Sequence, residues 1–241
     1  MSTFSNVSKT AFLIADSSRA AMLMALIDGR ALPAGELARA SGVTAQTASA
    51  HLAKLLDGGL ISVETEGRHR YYRLADGHVA QTLEHLAAIG PIAKARPMAL
   101  SPRHRQLAFC RCCYDHLAGQ VGVAMARAMQ DRDYIRRADD KQFIVTAAGV
   151  RWLSSIGLDI ATVAPSRRGL ARQCLDWTER THHLAGPLGT RLMATLCEQG
   201  WLRRSDSTRA IAVTPKGWLG FQRSLGITKE RVAELAQPTA K

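Results

Sequence analysis

The sequence predicts a mainly α chain with small β-hairpins, an α+β fold in two parts, and three features carry that prediction. Between Gly35 and Leu74 two helical segments meet at a tight turn and run straight into an alternating hairpin. Beyond residue 105 one pattern of apolar and glycine landmarks occurs twice. Between these parts lies Pro91–Arg105 (PIAKARPMALSPRHR), proline-rich, basic and without a period, which is the composition of a linker. The expected domains are residues 1–92 and 106–226, with the boundary near residue 95.

Bulk properties narrow the class. A chain of 241 residues can bury two cores, and an apolar content of 46% excludes a disordered protein. The net charge of +12, from 32 Lys+Arg against 20 Asp+Glu, favours a polyanionic partner. No apolar run approaches the ~18–20 residues that span a bilayer. The N-terminal stretch MSTFSNVSKTAFLIADSS lacks the charged start of a signal peptide, so a cytoplasmic location is expected. Five cysteines without framework spacing imply reduced thiols.

Taken in order, residues 5–15 form a helix with Val7, Phe12, Leu13 and Ile14 apolar, and Asp16-Ser17-Ser18 breaks and recaps the chain. Arg19–Ile27 is a second apolar helix, closed by Asp28-Gly29. A short helix over Glu36–Ala40 reaches the turn at Ser41-Gly42. Thr44 then caps a helix whose apolar side is Ala45, Ala48, Leu52, Leu55 and Leu56, and Gly58-Gly59 ends it. Strands Leu60–Glu64 and His69–Leu74 fold around a turn at Glu66-Gly67. This order is a winged helix-turn-helix, whose second helix enters a DNA major groove.

Gln46, Thr47, Ser49, Ala50 and His51 are the expected base-facing residues, since glutamine pairs bidentately with adenine and hydroxyls suit base edges or phosphates. Thr44 and Lys54 suit backbone phosphates, as do Arg68, His69 and Arg70 at the wing tip. Asp76–Gly90 follows as an amphipathic helix with Val79, Leu83, Leu86 and Ala87 on one face.

The second half is duplicated. Leu117-Ala118-Gly119 recurs as Leu184-Ala185-Gly186, each followed by an apolar helical pattern. A basic hairpin comes next, Tyr134–Arg137 with Gln142–Val145 and then Trp201–Arg204 with Ala210–Val213. Each copy ends in Thr-x-x-Gly and a helix, at Thr146–Gly149 and Thr214–Gly217. The Cys/Asp pair recurs at a shorter offset, so the second copy carries about six extra residues, TERTHH. Two helix–hairpin–helix pseudo-repeats are expected to share one core or flank a pocket. From about Ile227 the charged tail reads as a loose helix that frays.

Residues Asp16–Leu74 resemble the ArsR family of bacterial repressors. The resemblance rests on Asp-x-Ser-Arg, Leu23-x-x-Leu26-x-x-Gly29, Gly35-Glu-Leu-Ala38, Thr44-x-x-Thr47-x-Ser49-x-His51-Leu52, Leu55-x-x-Gly-Gly-Leu-Ile61 and Gly67-Arg-x-Arg-Tyr-Tyr-Arg-Leu74. It covers about a quarter of the chain. It implies a homodimer built from the first helix and the helix after the wing, an inverted-repeat operator on double-stranded DNA, and release by an inducer. The family's Cys-x-Cys position falls on Glu36–Ala40, which holds no cysteine. Its Asp-x-His metal position is matched by Asp76-Gly77-His78, but Ala88 and Pro91 stand near where the second ligand pair belongs. No metal site is therefore assigned from the sequence.

The sensor residues proposed from the sequence are Cys110, Cys112, Cys113 and His116, with Cys174 and His183 as their duplicated counterparts. Placed on one helix, Cys112/His116 and Cys113/His116 are i,i+4 and i,i+3 pairs. Arg105 and Arg111 nearby would lower a thiol pKa. The effector expected there is a soft metal, an oxidant or an electrophile, and a cavity between the repeats would suit a small organic inducer. Tyr114, Trp152, Trp177, Trp201 and Trp218 read as core. An alternative is a thiol enzyme with Cys113 or Cys174 as nucleophile and His116 or His183 as base. It lacks an oxyanion-hole signal, a nucleophile elbow or a phosphate loop, so no catalytic residue is assigned. An RNA-binding aromatic sheet motif is also missing.

Overall fold

The computed structural model describes residues 3–67, 69–89 and 102–236. The chain divides into two compact units, one ending at Leu83 and the other beginning at Glu84. The boundary expected near residue 95 and most of the linker lie outside the described residues, as does Arg68.

The first unit opens with α1 (Thr3–Ile14) and α2 (Ser17–Ala25). Asp16 caps α2 by accepting from Arg19 N at 2.9 Å. The buried Arg19 side chain reaches back to the last carbonyls of α1, donating to Leu13 O at 2.6 Å and Phe12 O at 2.8 Å. It thus satisfies acceptors that a helix end leaves open. Next come β1 (Leu32–Pro33), α3 (Ala34–Ser41) and α4 (Ala45–Asp57). The turn between the helices depends on Gly42, whose φ of +67° is left-handed. Thr44 caps α4 as expected, accepting from Thr47 N at 3.2 Å.

The wing is β2 (Ile61–Glu66) paired antiparallel with β3 (His69–Leu74), in register from Ile61↔Leu74 to Glu66↔His69. Leu32 adds a third strand against Tyr72. The sequence did not reveal β1, because two residues ending in proline cannot display an alternation. Met22, Leu23, Leu26, Leu37, Ala48, Leu52, Leu55 and Tyr72 fill the core of this unit. The helix α5 (Gly77–Ile89) follows the wing.

The second unit contains α6 (Pro102–Phe109) and then the duplication. The first copy runs β4 (Arg111–Cys113), β5 (His116–Ala118), α7 (Gly119–Asp131), β6 (Ile135–Ala138), β7 (Gln142–Val145) and α8 (Ala147–Ser155). The second runs β8 (Arg172–Leu175), β9 (His182–Ala185), α9 (Gly186–Glu198), β10 (Leu202–Arg204), β11 (Ile211–Val213) and α10 (Pro215–Leu225). Each expected helix–hairpin–helix is present, preceded by a second hairpin that the sequence reading had taken for helix. The extra residues fall between Asp176 and His183, largely in the connection between β8 and β9, and not at TERTHH, whose histidines open β9.

Backbone bonds interlock the copies. Phe143 N donates to Ala171 O and Gln173 N to Lys141 O. The equivalent pair in the other direction is Ile211 N to Cys110 O and Cys112 N to Arg209 O. The edge of each leading hairpin is therefore held by the basic hairpin of the other copy. Thr146 and Thr214 cap α8 and α10 through Gly149 N and Gly217 N, so the Thr-x-x-Gly landmarks are N-caps. Over the described residues, the tail that the sequence reads as a fraying helix is packed instead. A short α11 (Val232–Ala236) packs on α7 with Val232 and Ala236 buried, because its apolar residues find a groove there.

Gly149 is needed for close approach, since a Cβ there would stand 2.1 Å from Tyr134 O. Gly35 in α3 faces open space. Gly149→Ala is expected to lower the unfolding free energy by roughly 1–3 kcal/mol, as overpacking does. Gly35→Ala is expected to raise it by up to about 1 kcal/mol through helix propensity. Urea denaturation compares the two, and coincident midpoints would contradict the packing account.

Candidate functional site

On the reading head, Gln46, Thr47, Ser49, Ala50 and Lys54 are exposed along α4, and Thr44 is exposed at its N-terminus. The hydroxyls of Thr44 and Thr47 meet at 2.9 Å, and Ser49 donates to Ala45 O at 3.0 Å. These hydroxyls crowd the positive end of the helix dipole, where phosphates are favoured. On the wing, His69 and Arg70 are exposed, with the Arg70 guanidinium 5.6 Å from the centre of the Tyr72 ring. Arg73 is engaged by Glu64. His51 does not join the exposed row: its side chain is only 15% exposed and its Nδ1 lies 4.0 Å from Asp16 Oδ1. Four residues after Thr47, it falls on the flank of α4 that turns towards the start of α2.

The second unit gathers a cluster from both copies. The ligand atoms of Cys113, His116, Cys174 and His183 all lie within 4.8 Å of one another. Cys113 is the cross-strand partner of His116 in β4–β5, and Cys174 that of His183 in β8–β9. Each copy thus contributes one thiol opposite one imidazole. The two Nε2 atoms meet at 3.1 Å across the repeat interface. Gly122 and Gly189 let α7 and α9 lie close over the hairpins that carry the histidines. A Cβ on Gly122 would stand 2.6 Å from Leu117 O and 3.8 Å from His183 Cβ. One on Gly189 would stand 2.7 Å from Leu184 O and 3.3 Å from His116 Cβ. The side chains of this cluster meet at the interface between the repeats.

A ring of charge surrounds the cluster. Asp115 Oδ1 lies 2.9 Å from His116 Nδ1, and Thr190 donates to Asp115 Oδ2 at 2.9 Å. Asp176, fully buried, is 3.4 Å from His183 Nδ1. It accepts from Arg111 Nη2 at 3.0 Å, Gly119 N at 2.8 Å and Thr178 N at 2.9 Å. Burial works against its charge, but Arg111 beside it holds the Asp176 carboxyl well below the usual range. Arg111, 1% exposed, lies over the Trp177 ring and reaches Glu84 at 3.4 Å. Glu84 also accepts from Arg209 at 2.7 Å and from the Cys113 thiol at 3.3 Å.

Several sequence readings are corrected here. Cys110, Cys112, Cys113 and His116 do not share a helix. Cys110 follows α6, Arg111–Cys113 is a strand, and Tyr114 turns the chain with φ of +58°. The i,i+4 pairing is therefore replaced by a cross-strand one. Cys110 is buried in the apolar core, and Cys112 alternates away from Cys113 and donates to Tyr114 O at 3.3 Å. Arg111, paired with Asp176 and Glu84, still works to lower the Cys110 and Cys174 thiols, but burial outweighs it at Cys110. Contact with Cys174 and burial push Cys113 up to about 12, burial pushes Cys112 up to about 11, and only Cys174 moves down, through its contact with Cys113.

Glu84 is buried beside the cluster, and Asp115 and Asp176 stand behind its two imidazoles. The repeated Cys-x-Asp (Cys113/Asp115, Cys174/Asp176) was their available signal. Of the aromatics expected in the core, Tyr114 is exposed, while Trp152 stacks on Tyr134 and Trp201 packs edge-on to Phe221.

A family profile described as a helix-turn-helix domain matches residues 14–64. The uncharacterised HTH-type transcriptional regulator YdfF of Bacillus subtilis (strain 168) is 45% identical over 222 residues, spanning 92% of this chain and 98% of that protein. The HTH-type transcriptional regulator CmtR of Mycobacterium tuberculosis (strain ATCC 25618 / H37Rv) is 41% identical over 76 residues, 32% of this chain and 64% of CmtR. Among solved structures, the homodimeric winged helix-turn-helix domain of Mb0332 from Mycobacterium bovis, a possible ArsR-family regulator, is 31% identical. It covers 34% of this chain and 76% of that one, with a TM-score of 0.33.

Arg111 is the cation that two buried carboxylates share. Arg111→Met is expected to destabilise the protein by about 3–5 kcal/mol, the penalty for stranding a buried charge. Denaturant unfolding measures it, and a loss below about 1 kcal/mol, the size of an exposed ion pair, would show that the network is not needed for the fold.

Proposed function

This chain belongs to the ArsR family of helix-turn-helix DNA-binding transcriptional regulators, and we propose that it acts as a homodimeric repressor released from an inverted-repeat operator by an effector. The observation that carries the DNA half of this reading is the exposed row Gln46, Thr47, Ser49 and Ala50 on α4, flanked by His69 and Arg70 on the wing. Two copies would set two such helices into successive major grooves. The dimer half is supported by apolar side chains left exposed on the two helices the family uses: Val7 and Phe12 on α1, Leu86 and Ile89 on α5. Exposed large apolar groups on one helix after another mark surfaces that a partner covers. We assign the effector role to the duplicated second half. In the first unit the family's cysteine position is empty, and Asp76 is used to cap α5, accepting from His78 N at 2.8 Å and Val79 N at 3.0 Å.

Binding to the chain's own upstream DNA, followed by fluorescence anisotropy, tests the reading head. Gln46→Ala and Thr47→Ala are expected to cost about 1–3 kcal/mol on the operator and little on unrelated DNA. Arg70→Ala should weaken all sequences alike and flatten the salt slope by about one unit. His51→Ala, at an inward-turned position, should leave sequence preference unchanged. Unaltered selectivity in the Gln46 and Thr47 variants would remove α4 as the recognition helix.

Sedimentation tests the assembly. The wild type is expected to run as a dimer and Phe12→Glu to shift towards monomer, whereas a monomeric wild type would overturn the dimer.

A further inference from the structure

We propose that Cys113, His116, Cys174 and His183 form a closed tetrahedral site for one thiophilic divalent ion of the Zn2+ class. Four ligand atoms within 4.8 Å of one another surround a single point, two sulphurs and two imidazole nitrogens. This mixture is the one soft divalent ions prefer. With metal–nitrogen bonds of about 2.0–2.1 Å, the edge of a tetrahedron between two histidine nitrogens is roughly 3.3 Å. The observed separation of the two Nε2 atoms is 3.1 Å.

The surroundings fit the same chemistry. A ligating imidazole usually has its other nitrogen held by a carboxylate, which fixes the tautomer and aims the lone pair. Here Asp115 stands at His116 Nδ1 and Asp176 at His183 Nδ1, one carboxylate from each copy. His183 is fully buried and its Nδ1 makes no hydrogen bond, although Asp176 Oδ2 is 3.4 Å away. A shift of a few tenths of an ångström in that ring would complete the bond. All four ligands belong to protein side chains, so no coordination position is left open for catalysis, and the ion would act as a structural or sensory one.

The charges balance. Binding takes one proton from each of the Cys113 and Cys174 thiols to solvent. Two thiolates, two neutral imidazoles and a dication then sum to zero in a buried place that would not tolerate a net charge. Ligation also ends the contact in which the Cys113 thiol donates to Glu84 Oε2, leaving Glu84, in the second half of α5, to Arg209 and Arg111. The ion therefore alters the hydrogen bonding of α5. This deepens the assignment of the effector role to the second half, and only its consequence for DNA rests on that reading.

The test uses the full chain, stripped with a chelator under reductant and titrated with Co2+ and then Zn2+. One equivalent of Co2+ is expected to give a thiolate-to-metal charge-transfer band and the intense visible absorption of tetrahedral cobalt, both erased by Zn2+. Cys113→Ser and Cys174→Ser should each weaken Zn2+ binding by more than roughly 100-fold, beyond what outer partners contribute. Cys112→Ser, on the same hairpin but outside the cluster, should bind as the wild type does. Circular dichroism reports whether each variant folds. If a ligand variant does not, alkylation of the wild type decides the matter: Zn2+ should protect Cys113 and Cys174 and leave Cys112 unchanged.

Absence of the charge-transfer band, unslowed alkylation of both thiols, or a Cys113–Cys174 disulfide in place of ion uptake would overturn the site. Anisotropy on the upstream DNA with and without Zn2+ separates the two readings. A missing band with operator binding intact rejects the ion site alone. A band with no operator binding rejects the reading head alone.

Discussion

The second unit depends on a single buried carboxylate. Asp176 belongs to the second copy of the duplication, yet two of its partners, Arg111 and Gly119 N, belong to the first. An ionised group removed from water must be met by charge and hydrogen bonds, or it neutralises. Satisfying Asp176 therefore requires the two copies to dock in one register. That register brings β5 against β9, and it sets His116 opposite His183. The same docking brings Arg111 to Glu84, so a helix outside the duplication is tied to the same network.

Duplication explains how such a centre arises from weak local signals. One copy supplies a cysteine, an aspartate two residues on, and a histidine across a hairpin, which is half a site. Packed about a pseudo-twofold interface, the halves make a four-donor set with a carboxylate behind each imidazole. Gly122 and Gly189 recur at equivalent positions because each lets its helix pass close over a backbone carbonyl of its own copy's leading hairpin, Leu117 O and Leu184 O. The six-residue insertion is absorbed where it does no harm, in the connection beyond the Cys174–His183 pair.

Legibility in the sequence followed interaction range. The Thr44 cap, the turn at Ser41-Gly42, the wing turn at Glu66-Gly67 and the Thr-x-x-Gly landmarks before α8 and α10 are set by neighbours a few residues apart, and all were readable. The duplication was readable because both copies keep their landmarks. The secondary structure of Arg111–Ala118 was misread, since strands of three residues offer no alternation and a run of Cys, Tyr, His and Leu fits a helix equally well. The burial of Glu84 left no local signal, because its partners Arg111 and Arg209 lie in distant stretches of the chain. His51 looked exposed by helical periodicity alone, which knows nothing of the neighbouring start of α2. The donors are paired across strands and between copies, so they leave no metal-type spacing along the chain.

The contrast between the two units bears on where regulation resides. In the first, the polar residues at the family's sensory positions are either absent or spent on folding: Glu36–Ala40 carries no thiol, and the Asp76 carboxylate closes the first turn of α5. A side chain consumed as a helix cap is not available to an effector without cost to that helix. In the second, donors converge whose hydrogen bonding is incomplete, with His183 Nδ1 lacking a partner and two imidazole nitrogens facing each other at 3.1 Å. Two imidazole Nε2 atoms at that distance can share only one proton, so at least one faces the other with its lone pair. A cluster built this way has hydrogen-bonding preferences that the fold alone does not satisfy.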